Sequence, residues 1–545
     1  MSQAYGQLIA FNEREFQRLP AKKQPVFVYE WLKNFEDSLN VVKKADLKAS
    51  LKDLVDGLSK HLYGDCGPPT RQLLGRCFAQ LYLSGDQFSA FDTVNTCSDI
   101  IKGKDDANLS VKLAGMATVG TIFEKLGRMV GGSAPETVQI LIKAMKNSES
   151  QGRCEILLCC QRILCGLGSA ASSCHKDIFK SIRTALIDRS MAVRCAAAEC
   201  TKELIKHATF TYTTELETLL SVCLKSLEGS NYDVRVCVSS LLGKLMAATQ
   251  RPPDGSTPPS NSKTKKISMN EMFDLMSSGF LRGGIGFLKG GGGELLKTTM
   301  PQEVRVGVTQ AYVVLFNEMG GTWVEKNVGY ILGQILDLLS SSKATPNHVD
   351  AVYSRKCVSF ILRSMLGRLL GEKAQVIAGK ELCKFVSKQM TKVKQMLQSR
   401  ETSTTEINEA VLGTQHTIIC ALQELACLVQ DLATAAGSLV NEKTIEIVLS
   451  VLIHSAPAAR LTSAWCLRTI TVAIPSHLSP MIDRCLAELE TSSSLETVSG
   501  YAYMLSALIG GVRMCPLGIP HKKGKVCCWF KLCQEYSLVK VEVSH

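Results

Sequence analysis

The chain has 545 residues, 46% of them apolar and 21% charged, with a formal net charge of +12. That length exceeds one ordinary compact core and points to several domains or a repeat array, and that balance excludes disorder as the general state. Lysine and arginine are dispersed and aromatics make up only 6%, whereas a nucleic-acid binder concentrates basic residues on one face with interleaved aromatics, so nucleic acid is not an expected partner.

The first stretch, MSQAYGQLIAFNEREFQRLP, carries Glu13, Arg14, Glu15 and Arg18 and lacks the apolar run of a secretory signal. No later segment reaches 18 apolar residues without a charge, so no transmembrane helix is expected, and the expected compartment is the cytoplasm or its membrane surfaces. The 22 cysteines include no C-x-x-C pair and sit largely in apolar runs such as CEILLCCQRILCGLG. In this context they read as small buried hydrophobes rather than a disulfide framework.

From residue 71 the chain has a 41-residue rhythm. Arg71, Lys112, Arg153, Arg194 and Arg235 are evenly spaced. Ten residues after each stands Leu81, Ile122, Ile163, Leu204 and Leu245; eleven after, Tyr82, Phe123, Leu164, Ile205 and Met246. Offsets three and seven are also small or apolar in nearly every unit, for example Leu74, Ile156 and Val238, then Phe78, Val119 and Leu242. Offsets of 3, 7, 10 and 11 share one face of an α-helix, so each unit holds an amphipathic helix in the same register. A second helical face precedes the best units: Val138, Leu141 and Met145, then Phe179, Ile182 and Leu186, then Leu220, Cys223 and Leu227. Turn formers such as Asp188–Ser190 lie between the helices. The expected fold is therefore all-α, an α-solenoid of stacked HEAT/armadillo-like helical hairpins, in which neighbours bury what one hairpin leaves exposed. The openings DRSMAVRCAAAEC, SNYDVRVCVSSLL and PQEVRVGVTQAYV resemble the D-x-x-V-R start of HEAT second helices.

The rhythm then breaks. Arg235 and Arg305 are 70 residues apart, and the excess holds a Pro/Ser/Lys-rich loop from Arg251 to Ser268 and the stretch GFLRGGIGFLKGGGGELLK, Gly279 to Lys297. A phosphate loop needs Ser or Thr after its lysine, but Lys289 is followed by Gly290. A G-x-G-x-x-G fingerprint begun at Gly284 ends on Lys289. Two readings stand: Phe280, Leu281, Phe287 and Leu288 tuck into the array while the glycines supply positive φ, or Phe280, Leu281, Arg282, Phe287, Leu288 and Lys289 form an exposed loop that touches a partner or lipid. The first is preferred. Beyond it the register resumes at Arg305 and Arg355, and more loosely at Arg460. Lys380, Lys384, Lys388 and Lys392, four residues apart, form a stripe that could meet an acidic partner or anionic membrane, or be a solvated helix face. The nine histidines show no paired ligand spacing, and His521, Cys527, Cys528 and Cys533 make a poor zinc set because adjacent cysteines seldom both bind one ion. No G-x-S-x-G elbow is present. No catalytic residues, metal or cofactor are expected. The divisions are 1–248, an N-terminal array; 249–300, the insert; 301–524, the second part of the array; and 525–545, a divergent tail.

FVYEWLKNFEDSL, GPPTRQLLGRCFAQLY, SESQGRCEIL, GFLRGGIGFLKGGGGELLK, LGEKAQVIAGKELC, ARLTSAWCLR and CPLGIPHKKGK together resemble the N-terminal region of the HEAT-repeat-containing protein five family, over about Val26 to Lys525. That family is similar in role to the large accessory protein of the first clathrin adaptor complex in yeast. The resemblance implies a non-enzymatic cytosolic scaffold in vesicle trafficking between trans-Golgi network and endosomes, covering endocytosis, retrograde transport and protein localisation. Its implied partners are clathrin-adaptor complex one and aftiphilin/synergin-like accessory proteins, with peripheral membrane contact and no small-molecule substrate. The end VCCWFKLCQEYSLVKVEVSH departs from the family, and an alternative or truncated terminus is expected there. The competing expectation is a HEAT adaptor of another class, for nuclear transport or phosphatase assembly.

Overall fold

The computed structural model of the protein describes residues 11–42, 44–103, 109–252, 267–281, 301–398 and 404–514. These residues form α-helices joined by short turns and 3₁₀ segments, with no strand among them. The chain is an α-solenoid of helical hairpins, divided into two compact units, Met1–Glu318 and Met319–His545.

In the first unit α1 (Glu13–Arg18) and α2 (Gln24–Leu39) lead into the pairs α3 (Lys44–Leu62) and α4 (Pro68–Ser84), α5 (Ala90–Lys102) and α6 (Leu109–Leu126), α7 (Ala134–Met145) and α8 (Ser150–Leu167), α9 (Ser172–Ala185) and α10 (Met191–His207), α11 (Leu216–Leu227) and α12 (Tyr232–Gln250), and α13 (Met269–Leu281) and α14 (Gln302–Met319). The second unit holds α15 (Gly321–Asp337) and α16 (His348–Leu366), α17 (Glu372–Gln398) and α18 (Thr404–Leu432), α19 (Glu442–Ser450) and α20 (Pro457–Ala473), and α21 (Leu478–Thr491) and α22 (Leu495–Gly511). Within each unit, second helices of successive pairs pack on one another and form a continuous layer, as α4, α6, α8, α10 and α12 do, and as α18, α20 and α22 do.

The 41-residue columns are the core of that layer. Leu81, Ile122, Ile163, Leu204 and Leu245 are all fully buried, as are Tyr82, Phe123, Leu164 and Met246 beside them. The columns from Arg305, Arg355 and Arg460 are buried too, including Tyr312, Leu362 and Ile470. Each such side chain contributes about 1.5–3 kcal/mol relative to leaving it in water. Ser150–Ala185 and Val411–Ser438 have the length and hydropathy of membrane spans, but the first is two helices with a bend between and both have half or more of their residues buried in the array.

The basic column has a structural task as well. It falls at the fourth residue of α4, α6, α8, α10, α12, α14 and α20. There an arginine reaches back over the turn, where carbonyls at the end of the first helix lack intrahelical partners. Arg153 donates to the Ser148 carbonyl at 2.7 Å, Arg235 to that of Ser230 at 2.6 Å, and Arg460 to those of His454 at 2.7 Å and Ser455 at 2.9 Å. Two turns are also linked to their neighbours. Arg153 forks onto Asp188 at 2.9 and 3.1 Å, and Asp188 accepts the Ser190 N–H at 2.8 Å. Arg194 donates to the Asp188 carbonyl at 2.6 Å and onward to those of Ser226 at 3.0 Å and Glu228 at 3.3 Å. Arg71 differs: it spans two repeats to a buried ion pair with Glu155 at 3.2 Å.

The layer is tight enough to need glycine. A Cβ on Gly166 of α8 would fall inside the Phe123 carbonyl of α6, and one on Gly243 of α12 would sit 2.7 Å from the Ala311 carbonyl of α14. Gly127 and Gly168, 41 residues apart, close α6 and α8 with φ of +56° and +55°, a conformation that L side chains resist.

Gly166→Ala is expected to lower stability by about 2 kcal/mol through overpacking. Gly57→Ala, where a Cβ meets nothing within 4 Å, should raise it by about 0.5–1 kcal/mol. Urea denaturation of the two variants checks both signs. A pH effect follows from His416, whose pKa burial lowers to about 4, with Arg355 and His348 adding to the shift. A depressed histidine pKa means the unfolded chain takes the proton first, so this stabilisation is complete above about 6.5 and is lost as pH falls toward 4. Urea midpoints between those pH values should fall less steeply for His416→Gln than for the unaltered protein.

Candidate interaction surface

The glycine-rich stretch enters the structure only through its first residues. Phe280 is fully buried near the end of α13, with the Arg305 guanidinium of α14 over its ring at 5.4 Å, and Leu281 is half-buried. Phe280 therefore belongs to the core between α13 and α14 and is not a residue a partner or lipid can touch. Arg282, Phe287, Leu288 and Lys289 lie outside the described residues, as do His521, Cys527, Cys528 and Cys533.

The lysine stripe is a surface. Lys380, Lys384, Lys388 and Lys392 are exposed along α17, while Leu382, Cys383, Val386, Met390 and Val393 are buried on its other side. Its charge is partly answered. Lys384 pairs with Glu381 at 2.7 Å. Burial raises the Asp337 carboxyl of α15 above its ordinary range, and the nearby Lys392 and Lys388 oppose that rise.

A second surface lies in the second-helix layer. α16, α18 and α20 frame a groove of 690 Å³ lined by Arg355, Lys356, Ser359, Phe360 and Arg363 from α16, by Gln423, Ala426, Cys427 and Gln430 from α18, and by Leu461, Thr462 and Trp465 from α20. Phe360, Leu461 and Trp465 are 54%, 56% and 51% exposed, although each stands on a helix whose opposite face is core. The Arg468 guanidinium lies 4.6 Å from the Trp465 ring centre. Under α16, Glu424 of α18 accepts hydrogen bonds from Ser359 and, at 3.3 Å, from Arg363.

Sequence reasoning missed this groove, yet its signal was in the register. Phe360 and Trp465 both stand five residues after the column base, and Arg363 and Arg468 both stand eight after it. The same +5 position holds Arg76, Ala117, Leu158, Glu199, Ser240 and Gln310 in the earlier units, so the aromatic pair belongs to the second unit.

Several titratable groups are part of the core. Burial pushes the Cys97 and Cys223 thiols up to about 12 and Cys485 likewise, which keeps them protonated and poorly nucleophilic at neutral pH. The His175 ring is bonded to the Gly168 carbonyl at 3.2 Å, and among the described residues no group of three or more His, Cys, Asp or Glu could hold a metal ion.

No family model matches the chain. Protein SWEETIE of Arabidopsis thaliana is 26% identical over 233 residues, which is 42% of this chain and 10% of that protein, so the match spans a tenth of the relative's length. Among solved structures, a Kap95p structure concerned with RanGDP has a TM-score of 0.43 at 10% identity, covering 94% of this chain and 67% of that one. Kap121p bound to RanGTP has a TM-score of 0.39 at 12% identity, covering 94% and 55%. An engineered protein has a TM-score of 0.32 at 12% identity, covering 93% and 98%. At these scores none of the three informs the function of this chain.

Phe280→Ala is expected to cost about 3–5 kcal/mol as a core truncation, and Lys380→Ala or Lys388→Ala less than about 0.5 kcal/mol as surface changes. Thermal melts of the three variants separate the buried residue from the stripe.

Proposed function

We propose that the chain is a non-enzymatic HEAT-repeat scaffold that binds protein partners along its stacked second helices. The observation that carries this is the groove of α16, α18 and α20, where half-exposed Phe360 and Trp465 stand beside Arg363 and Arg468 on a packed helical layer. Exposed aromatics next to arginines on a firm backbone are the composition of protein-binding hot spots. Burial pushes the Cys97, Cys223 and Cys485 thiols up, away from the nucleophilic form, and solenoids present extended surfaces more readily than deep polar pockets.

The finer reading is a cytoplasmic trafficking scaffold, peripheral at the trans-Golgi network, endosomes and endocytic vesicles, acting with clathrin-adaptor complex one and aftiphilin/synergin-like accessory proteins. It is supported by the motif resemblance that runs from about Val26 to Lys525, including the glycine-rich stretch that follows α13. The exposed lysines of α17 suit contact with an anionic membrane that such a peripheral protein approaches.

Affinity purification of the tagged chain from cytosol is expected to enrich adaptor complex one and its accessory proteins over a tag-only control. Enrichment of Ran or of a phosphatase catalytic subunit in their place would replace the trafficking reading and leave the scaffold reading standing.

A further inference from the structure

We propose that the groove between α16, α18 and α20 docks an extended, acidic segment of a partner protein carrying two bulky apolar side chains. The inference rests on the scaffold reading above and not on any compartment.

Charge selects the segment. The groove is lined by Arg355, Lys356 and Arg363 with no carboxylate among its lining residues, and Arg468 extends the cationic rim on the α20 side. The carboxylate below, Glu424, is 1% exposed and answers Arg363 alone, which leaves Arg355, Lys356 and Arg468 to give the opening its positive charge. An acidic chain is steered there and a basic one repelled.

Shape sets the spacing of the anchors. Phe360 and Trp465 occupy equivalent positions on helices two steps apart in one layer. At 8–10 Å per helix step they are separated by roughly 16–20 Å, which an extended chain crosses in about five or six residues at 3.3 Å each. Between them Ala426 and Cys427 leave room for a backbone, and Gln423 and Gln430 offer amides that can pair with its N–H and C=O groups. The stacked Arg468 holds the Trp465 ring in place, so little side-chain entropy is lost when a partner packs on it. A bilayer would need a projecting basic surface, whereas these rings stand at the walls of a recess.

The test uses the full chain and a fluorescein-labelled acidic dodecapeptide with two phenylalanines six residues apart, followed by fluorescence anisotropy. Saturable binding is expected. It should weaken at least about tenfold with Trp465→Ala and with the pair Lys356→Glu and Arg468→Glu, the loss typical of a hot-spot residue. Phe88→Ala, an exposed ring in the first unit, should leave it unchanged. Replacing the peptide's acids by lysine, or its phenylalanines by alanine, should also weaken binding at least about tenfold. Unaltered circular dichroism and melting temperature establish that each variant is folded. Absence of saturable binding, equal affinity for Trp465→Ala, or equal affinity for the alanine peptide overturns the proposal. So does failure of the peptide when phosphatidylserine vesicles bind the protein and Trp465→Ala abolishes that binding. If the peptide fails while the unaltered chain and Trp465→Ala recover the same adaptor proteins from cytosol, the groove is excluded and the scaffold reading survives.

Discussion

Every hairpin in this chain has an apolar face that it cannot bury by itself. Four residues per second helix, at offsets 3, 7, 10 and 11, must find the helices of the neighbouring hairpins, and the fully buried column from Leu81 to Leu245 is the result. The rest of the structure answers to that demand. Helices of successive repeats must approach closely, so Gly166 and Gly243 stand where any Cβ would collide with backbone. The turns must return the chain at a fixed pitch, so their leftover carbonyls are tied by the arginine at the fourth position of the next helix.

That arginine serves the fold before it serves any partner. An exposed ion pair adds little to stability. A guanidinium that forks onto Asp188 and also reaches the Ser148 carbonyl is different, because it satisfies groups that the helix geometry leaves open and links one turn to the next. The charge of the chain is thus divided between structural arginines at the turns and cations on the outer faces. The lysines of α17 and the rim of the α16–α18–α20 groove belong to the second kind, Lys384 and Arg363 among them paired with Glu381 and Glu424. In the groove, the same register that fixes the core also fixes the surface. In α16 and α20 the +5 position points away from the buried columns, so the aromatic placed there in each, two repeats apart, faces solvent.

The core was readable from the sequence because a helix converts linear spacing directly into a face, and because the same face recurs. Val308, Tyr312, Leu315 and Phe316, found by offset from Arg305, are buried as the column requires. Met145, in the first-helix set, is only half-buried, since first helices meet fewer neighbours than the second-helix layer does. The surface was harder. Spacing alone leaves two readings for Phe280, core or partner contact, and it is core, as the preferred reading has it, because α13 runs through it ahead of the main glycine run. The lysine stripe was visible as a spacing of four, but not its partial neutralisation, because Asp337 lies on a helix some fifty residues earlier.

By itself, then, the sequence determined the all-α class, the hairpin unit and the residues of the buried columns, since those depend on periodicity along one helix. Only the tertiary structure decided which polar groups meet and where a partner can sit. The Arg71–Glu155 pair joins helices 84 residues apart, and the groove needs one wall from α16, a floor from α18 and another wall from α20. Such juxtapositions depend on how neighbouring repeats stack, and a periodic pattern repeats identically whether its neighbours pack closely or stand apart.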